Sequence, residues 1–178
     1  MKTRIFLFAA ILLTSMFASA QKFAYVDTQY ILENIPDYQT AQNTLDEMSM
    51  EWQKELEVKF TEIDKLYKAF QSESFLLSED MKVKRQNEIL AKEKEAKELQ
   101  KKYFGTEGDL YKKRQELIKP IQEKVYNAIE DLAEEGALAV VFDRAGSSTL
   151  IYASDKFDKS DDVLSRLGYK AGGLNKNE

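Results

Sequence analysis

The chain contains no histidine and no cysteine among its 178 residues, and that absence removes several kinds of chemistry at once. Thiol nucleophiles, Ser-His-Asp triads, zinc sites built on His or Cys, and disulfide staples all need residues that are missing. An enzyme made from this sequence would have to work with carboxylates, lysines and hydroxyls. The acids, however, fall at surface spacing along helical stretches. Gly105-Thr106-Glu107-Gly108 is no phosphate loop, because no strand precedes it and no Gly-Lys-Ser/Thr follows. The reading is a non-enzyme without cofactor or metal. The side chains left to do work are apolar. Phe70, Phe75, Leu76 and Leu77 crowd one short stretch, and such a cluster marks an interaction site where the fold leaves it uncovered.

The elements that must carry this cluster are long helices. With two prolines and seven glycines the chain has little material for turns. Between Pro36 and Pro120 there is no other proline, and the only glycines are Gly105 and Gly108. The rest is rich in Glu, Lys, Gln, Leu and Ala, all good helix formers. One unbroken helix of that length would exceed about 100 Å at ~1.5 Å per residue, so the chain is expected to fold back. Leu76-Leu77-Ser78-Glu79-Asp80 offers the turn, with Ser78 as N-cap and two acids in the following first turn. A turn there sets Pro36 level with Pro120, and both prolines then mark the root of a hairpin. Each arm is about 60 Å long, more than the remaining chain can bury, so the arms must project. The apolar cluster sits at their tip.

The seam between the arms is uneven. The first arm places Tyr38, Ala41, Leu45, Met48 and Trp52 at steps of three and four, then Leu56, Ile63, Leu66 and Phe70 after an extra step of four, which is a stutter. The second has Ile89, Ala96, Tyr103, Leu110 and Leu117 at strict sevens, but Lys92, Thr106 and Lys113 occupy companion positions. Gly105 and Gly108 fall beside the stutter, and each glycine costs roughly 1 kcal/mol in a helix interior. They are expected to form a hinge, or else to permit close helix packing. Charge is split between the arms. Asp37 to Leu76 carries nine acids against four lysines, and Lys82 to Lys102 carries eight bases against four acids. Opposite signs therefore face each other as a solvated surface, not as a nucleic-acid stripe.

The two ends of the chain are expected to build a small body. Phe23-Ala24-Tyr25-Val26 reads as a strand, and Asp27 and Thr28 can cap a short helical turn at Tyr30 to Asn34. Leu138 to Phe142 and Thr149 to Ala153 flank Asp143-Arg144-Ala145-Gly146-Ser147-Ser148 in a hairpin pattern. Ser160-Asp161-Asp162 starts a last helix that Gly168 stops. Three short strands in one sheet are too few to stand alone. Sheets from several copies could close a barrel and hide their edges, burying Phe23, Tyr25, Val26, Leu138, Val140, Phe142, Leu150 and Tyr152. The fold class is thus α+β. A small β body, a barrel on assembly, bears a long protruding antiparallel coiled-coil hairpin.

The domain boundaries follow. Residues 1–20 are a signal peptide: Lys2 and Arg4 precede an apolar run from Ile5 to Phe17, and Ala18-Ser19-Ala20 supplies the small residues for a cut before Gln21. Residues 21–36 and 120–170 form a β-rich oligomerisation body, 37–119 the arm with its tip near 76–80, and 171–178 a disordered tail. No Cys follows the cut to carry a lipid, so the mature product is expected to be soluble. Loss of Lys2 and Arg4 leaves 24 basic residues against 31 acidic ones, a change in net charge from -5 to -7. Nonspecific nucleic-acid binding is a poor prospect for such a chain.

These residues together resemble the Skp/OmpH-like periplasmic chaperones of outer-membrane proteins. The resemblance rests on Phe23-Ala24-Tyr25-Val26-Asp27, on Arg114-Gln115-Glu116-Leu117-Ile118-Lys119-Pro120-Ile121-Gln122, on Val141-Phe142-Asp143, and on Asp158 with Asp161-Asp162-Val163-Leu164. It implies a homotrimer whose strands build a central body, with helical hairpins extending around a cavity that holds unfolded barrel proteins. It also implies a holdase that works without ATP. The best-known members are strongly basic, whereas this chain is acidic, so no residue is carried over for contact with lipopolysaccharide or membrane. The competing reading is an exported structural or adaptor coiled coil that binds one folded partner.

Overall fold

A computed structural model describes residues 22–146 and 150–170. The signal peptide, Ser147 to Thr149 of the expected hairpin, and the tail from Ala171 lie outside the described residues. Strand β1 (Lys22–Val26) is followed by α1 (Thr28–Glu33), α2 (Pro36–Glu73), α3 (Glu79–Phe104), α4 (Asp109–Gly136), β2 (Leu138–Asp143), a 3-10 turn (Asp155–Phe157) and α5 (Ser160–Arg166).

Local chemistry sets each boundary. Asp27 caps α1 by accepting from the Tyr30 amide, and Pro36 opens α2 at a position where no amide is needed. Ser78 caps α3 by accepting from the Met81 amide, with Glu79 and Asp80 in the first turn and Lys101 and Lys102 in the last. Charges so placed favour both ends of the helix dipole. Ala137 closes α4 in the left-handed region at φ 48°, and Gly168 ends the last helical stretch at φ 86°.

α2 and α3 form the projecting arm, as the register expected from the two prolines requires. Trp52 meets Phe104, Lys59 pairs with Glu95 at 2.7 Å, and the Tyr67 hydroxyl donates to Glu93 at 3.0 Å. Ile63, Ile89 and Ala96 are buried between the arms, with Leu66 and Phe70 packed on them.

Three expectations change. Pro120 lies at the arm root but ends no helix there, because α4 runs through it to Gly136 and carries the chain from the arm into the body. The body is therefore mostly helical, not β-rich. Second, the sheet has two strands, not three. β1 and β2 pair in parallel, Phe23 opposite Val140 and Tyr25 opposite Phe142, since the whole arm is the crossover between them. Residues 150–153 carry no strand. The far side of β1 is taken instead by an isolated parallel bridge to Asp158, where the Lys159 amide donates to the Tyr25 carbonyl at 2.9 Å. Third, the seam at strict sevens does not survive the glycine pair. Beyond it the buried positions are Ile118, Ile121, Val125 and Ala128, while Leu110 and Leu117 are only partly covered.

The main core sits at the arm root. Leu45 from α2 and Ile118 and Val125 from α4 meet Val26, Ile31 and the fully enclosed Val163 and Leu164 of α5. Buried Ser160 ties this core to the first strand. Its hydroxyl accepts from the Asp27 amide at 2.8 Å and donates to Asp158 at 2.6 Å.

Candidate interaction surfaces

At the tip, α2 ends at Glu73 and the chain turns through Ser74 to Ser78 before α3 begins. The amides of Leu76 and Leu77 donate to the Glu73 and Ser74 carbonyls, so a tight turn uses up the local backbone and pushes side chains outward. Phe75 and Leu76 are 77% and 75% exposed. Leu77 is half-buried, and Phe70 is packed on Ile63 and its neighbours. Of the four residues named for the tip, two are thus free to meet a partner and one belongs to the arm interior.

The structure adds residues that the sequence reading missed. Met81, Val83 and Leu90 are exposed on α3. Val83 and Leu90 lie seven apart and therefore share a helical stripe, displaced from the Ile89 and Ala96 seam. That second period of seven was the available signal.

On the body, the eight residues assigned to the oligomer face divide. Tyr25 and Val26 are each 2% exposed within the single chain although they point to opposite faces of β1. Val26 enters the root core, while Tyr25 lies on the face it shares with its pairing partner Phe142 and is already covered by its own chain. The Tyr25 hydroxyl is enclosed beside Asp158. Burial, with Asp158 and Asp155 nearby, holds its pKa above the ordinary tyrosine value. Leu138 and Leu150 are half-buried. Phe23, Val140, Phe142 and Tyr152 are exposed, together with Ile151 and Phe157, which the sequence reading did not single out. Phe23, Phe142, Leu150, Tyr152 and Phe157 line one shallow groove.

Between tip and body the two glycines interrupt the helix. Gly105 caps α3, its amide donating to the Lys101 carbonyl, and Gly108 precedes α4. A Cβ on Gly108 would stand 2.8 Å from the carbonyl oxygens of Lys102 and Tyr103, and one on Gly105 would strike the Lys101 carbonyl. Both glycines are needed by their own chain's tight turn, not for close approach of the facing helix.

A small helical and two-stranded body bearing one long helical hairpin defines a body-and-arm protein with apolar surface at both extremities. A family model described as outer membrane protein (OmpH-like) matches residues 22–167, and the chain belongs to that family. The fold is shared with a crystal structure of a candidate outer membrane chaperone (OmpH-like) from Caulobacter crescentus CB15. The TM-score is 0.64 at 13% identity, over 84% of this chain and 85% of that one. No curated protein matches. Membership of this family supports a chaperone role in general.

Proposed function

We propose that this protein is a periplasmic holdase that works without ATP and keeps unfolded outer-membrane β-barrel proteins from aggregating between its helical arms. The observation that carries the reading is the exposed Phe75 and Leu76 pair at the end of a projecting arm. Apolar side chains are displayed there on a turn the arm itself does not cover. Burial of one such side chain against a client contributes about 1.5–3 kcal/mol at most, so contacts are individually weak and release needs no fuel. The chain's lack of a nucleotide-binding motif agrees with this.

The body would assemble as a homotrimer through Phe23, Val140, Phe142 and Tyr152, with the half-buried Leu138 and Leu150 beneath them. Ile151, 97% exposed, and Tyr152, 84% exposed, stand on a segment that forms no strand within its own chain. Apolar, and in no strand among the described residues, such a segment is suited to adding to a neighbouring copy's sheet. Residues 1–20 would direct export and be removed on translocation. The acidic balance of the mature chain argues against lipopolysaccharide or anionic-membrane contact.

Light scattering on the mature protein from Gln21 onward, alone and with a urea-unfolded outer-membrane barrel diluted into it, tests the reading. The expected result is the mass of three chains, rising by one client without turbidity. A monomer or dimer that lets the client precipitate would favour the adaptor reading.

A further inference from the structure

We propose that the arm is jointed at the Gly105–Gly108 break, and that Trp52 and Tyr103 form a latch that sets the position of the tip. This goes beyond the holdase reading and does not depend on what the arms hold.

Three observations converge on one level of the arm. First, the apolar interior falls into two clusters, with Leu56 buried between them and belonging to neither. The root core includes Leu45 and Ile118, the outer cluster consists of Ile63, Ile89 and Ala96 with their neighbours, and they share no residue. Each piece is packed; the segment between them is not part of either cluster. Second, the returning helix is cut there, with Gly105 ending α3 and Gly108 preceding α4. No helical hydrogen bond therefore carries bending stiffness across the cut. The outgoing helix α2 is continuous, but its seam stutters between Trp52 and Leu56, where the side-chain register favours local unwinding.

Third, an aromatic contact bridges the two helices at this level. The Trp52 and Tyr103 rings stack with centroids 4.6 Å apart and planes 4° from parallel, and Phe104 meets the edge of Trp52 at 6.2 Å. The Tyr103 hydroxyl donates to Glu55 at 2.8 Å, one turn further along α2. Lys102 faces Asp109 across the break at 3.9 Å. A flat stack slides or parts without unpacking either core, so the outer arm can swing as a unit when the latch opens. The same glycines that break α3 place Tyr103 in its last turn, directly over Trp52.

The test uses the client-free oligomer, so failure of the holdase reading would leave its result standing. Because the chain has no cysteine, spin labels go on Glu79→Cys at the tip and Lys124→Cys in the body, diluted with unlabelled chains. Tyr103→Leu, which removes the stack and the hydroxyl, is expected to broaden the tip-to-body distance distribution on the order of twofold. Tyr103→Phe, which keeps the stack, should broaden it less. An unchanged distribution in a folded Tyr103→Leu overturns the latch.

Should Tyr103→Leu fail to fold, hydrogen exchange of the wild-type protein decides. A joint requires amides at Trp52 to Leu56 and at Tyr103 and Phe104 to exchange about tenfold faster than those at Leu45 and Ile63, or at Ala96. Fraying of the α3 end alone would leave α2 uniformly protected, and that result overturns the joint. Trp52, the single tryptophan, gives a direct signal of latch opening through its fluorescence.

Discussion

The body face and the arm tip both expose large apolar side chains, yet they are built in opposite ways. Phe23, Val140 and Phe142 stand on paired strands directly above the main core, where Val26 and Leu164 hold the backbone in place. Phe75 and Leu76 stand on a turn whose nearest packed neighbours are Phe70 and the small cluster beneath it. A rigid apolar face loses little entropy when a matching face covers it, and suits a permanent contact. A turn at the end of a long lever must be ordered on each encounter, which suits weak and exchangeable contacts. Residue type alone does not separate the two roles; the element beneath the residue does.

The largest way to break this comparison is to charge the body face. Val140→Asp with Phe142→Asp is expected to abolish assembly, because a carboxylate enclosed between copies without a partner costs several kcal/mol. Light scattering should report single chains, while circular dichroism shows the helices intact, since neither side chain is buried within its own chain. A trimer that persists would mean the copies meet elsewhere.

A smaller effect is expected at the tip. Replacing Phe75, Leu76 and Leu77 with Ser should release a bound barrel client on the order of a hundredfold faster without changing the oligomer, since each of the three side chains removed weakens the hold by about 1 kcal/mol. Phe70→Ser sharpens the point. Because Phe70 packs inside the arm, its replacement should lower the melting temperature of the hairpin and not act simply by weakening the grip on a client. Equal behaviour of Phe70 and Phe75 variants in both assays would erase the distinction between interior and display.

Much of this was legible in the sequence, and the reasons are physical. Helix caps are short-range chemistry, so Asp27, Ser78 and Gly168 marked real boundaries. The hairpin turn followed from the Ser78 cap and the acids behind it, and the level at which Trp52 meets Phe104 followed from counting residues on either side of that turn. Pro120 stands at the root without stopping its helix: a proline within a helix removes one amide donor and crowds one carbonyl, a cost that packing of Ile118, Ile121 and Val125 around it offsets. The third strand misled for a different reason. A β pattern reports suitability for pairing, but the partner of residues 150–153 is not within its own chain's sheet, and Asp158 occupies the β1 edge. The burial of both Tyr25 and Val26 was not legible, because strand alternation does not say that α5 covers one face at Val26 while the chain near Asp158 closes over Tyr25 on the other. The split of the apolar seam at Gly105 and Gly108 was visible as two glycines, but its change of phase was not.

Within the body, Ser160→Ala should cost about 1–3 kcal/mol. It removes the acceptor for the buried Asp27 amide and the donor to Asp158, and unpaired buried groups carry their desolvation penalty. The loss should appear as a lower melting temperature of the body with no change in client release. That outcome would confirm that the core under the body face is set independently of the tip.

The smallest expected effect concerns charge, and it asks whether electrostatics distinguishes the two regions at all. The Arg166 guanidinium, hydrogen-bonded to Glu135, holds that carboxyl below its ordinary pKa where α5 docks on α4. Lys59 does the same to Glu95 across the arm. In both cases the folded pKa is depressed. The contribution is therefore present above the ordinary carboxylate range, near pH 4, and is lost as pH falls through the lower folded value. Glu135→Gln and Glu95→Gln should each flatten the acid side of the melting-temperature profile between pH 7 and pH 2, by small and similar amounts, because all four groups are solvent-screened. A much steeper loss in one region would mean that its ion pair, and not its packing, sets how firmly that region is held. Similar slopes leave the difference between body and tip where the geometry puts it, in the backbone under the apolar side chains.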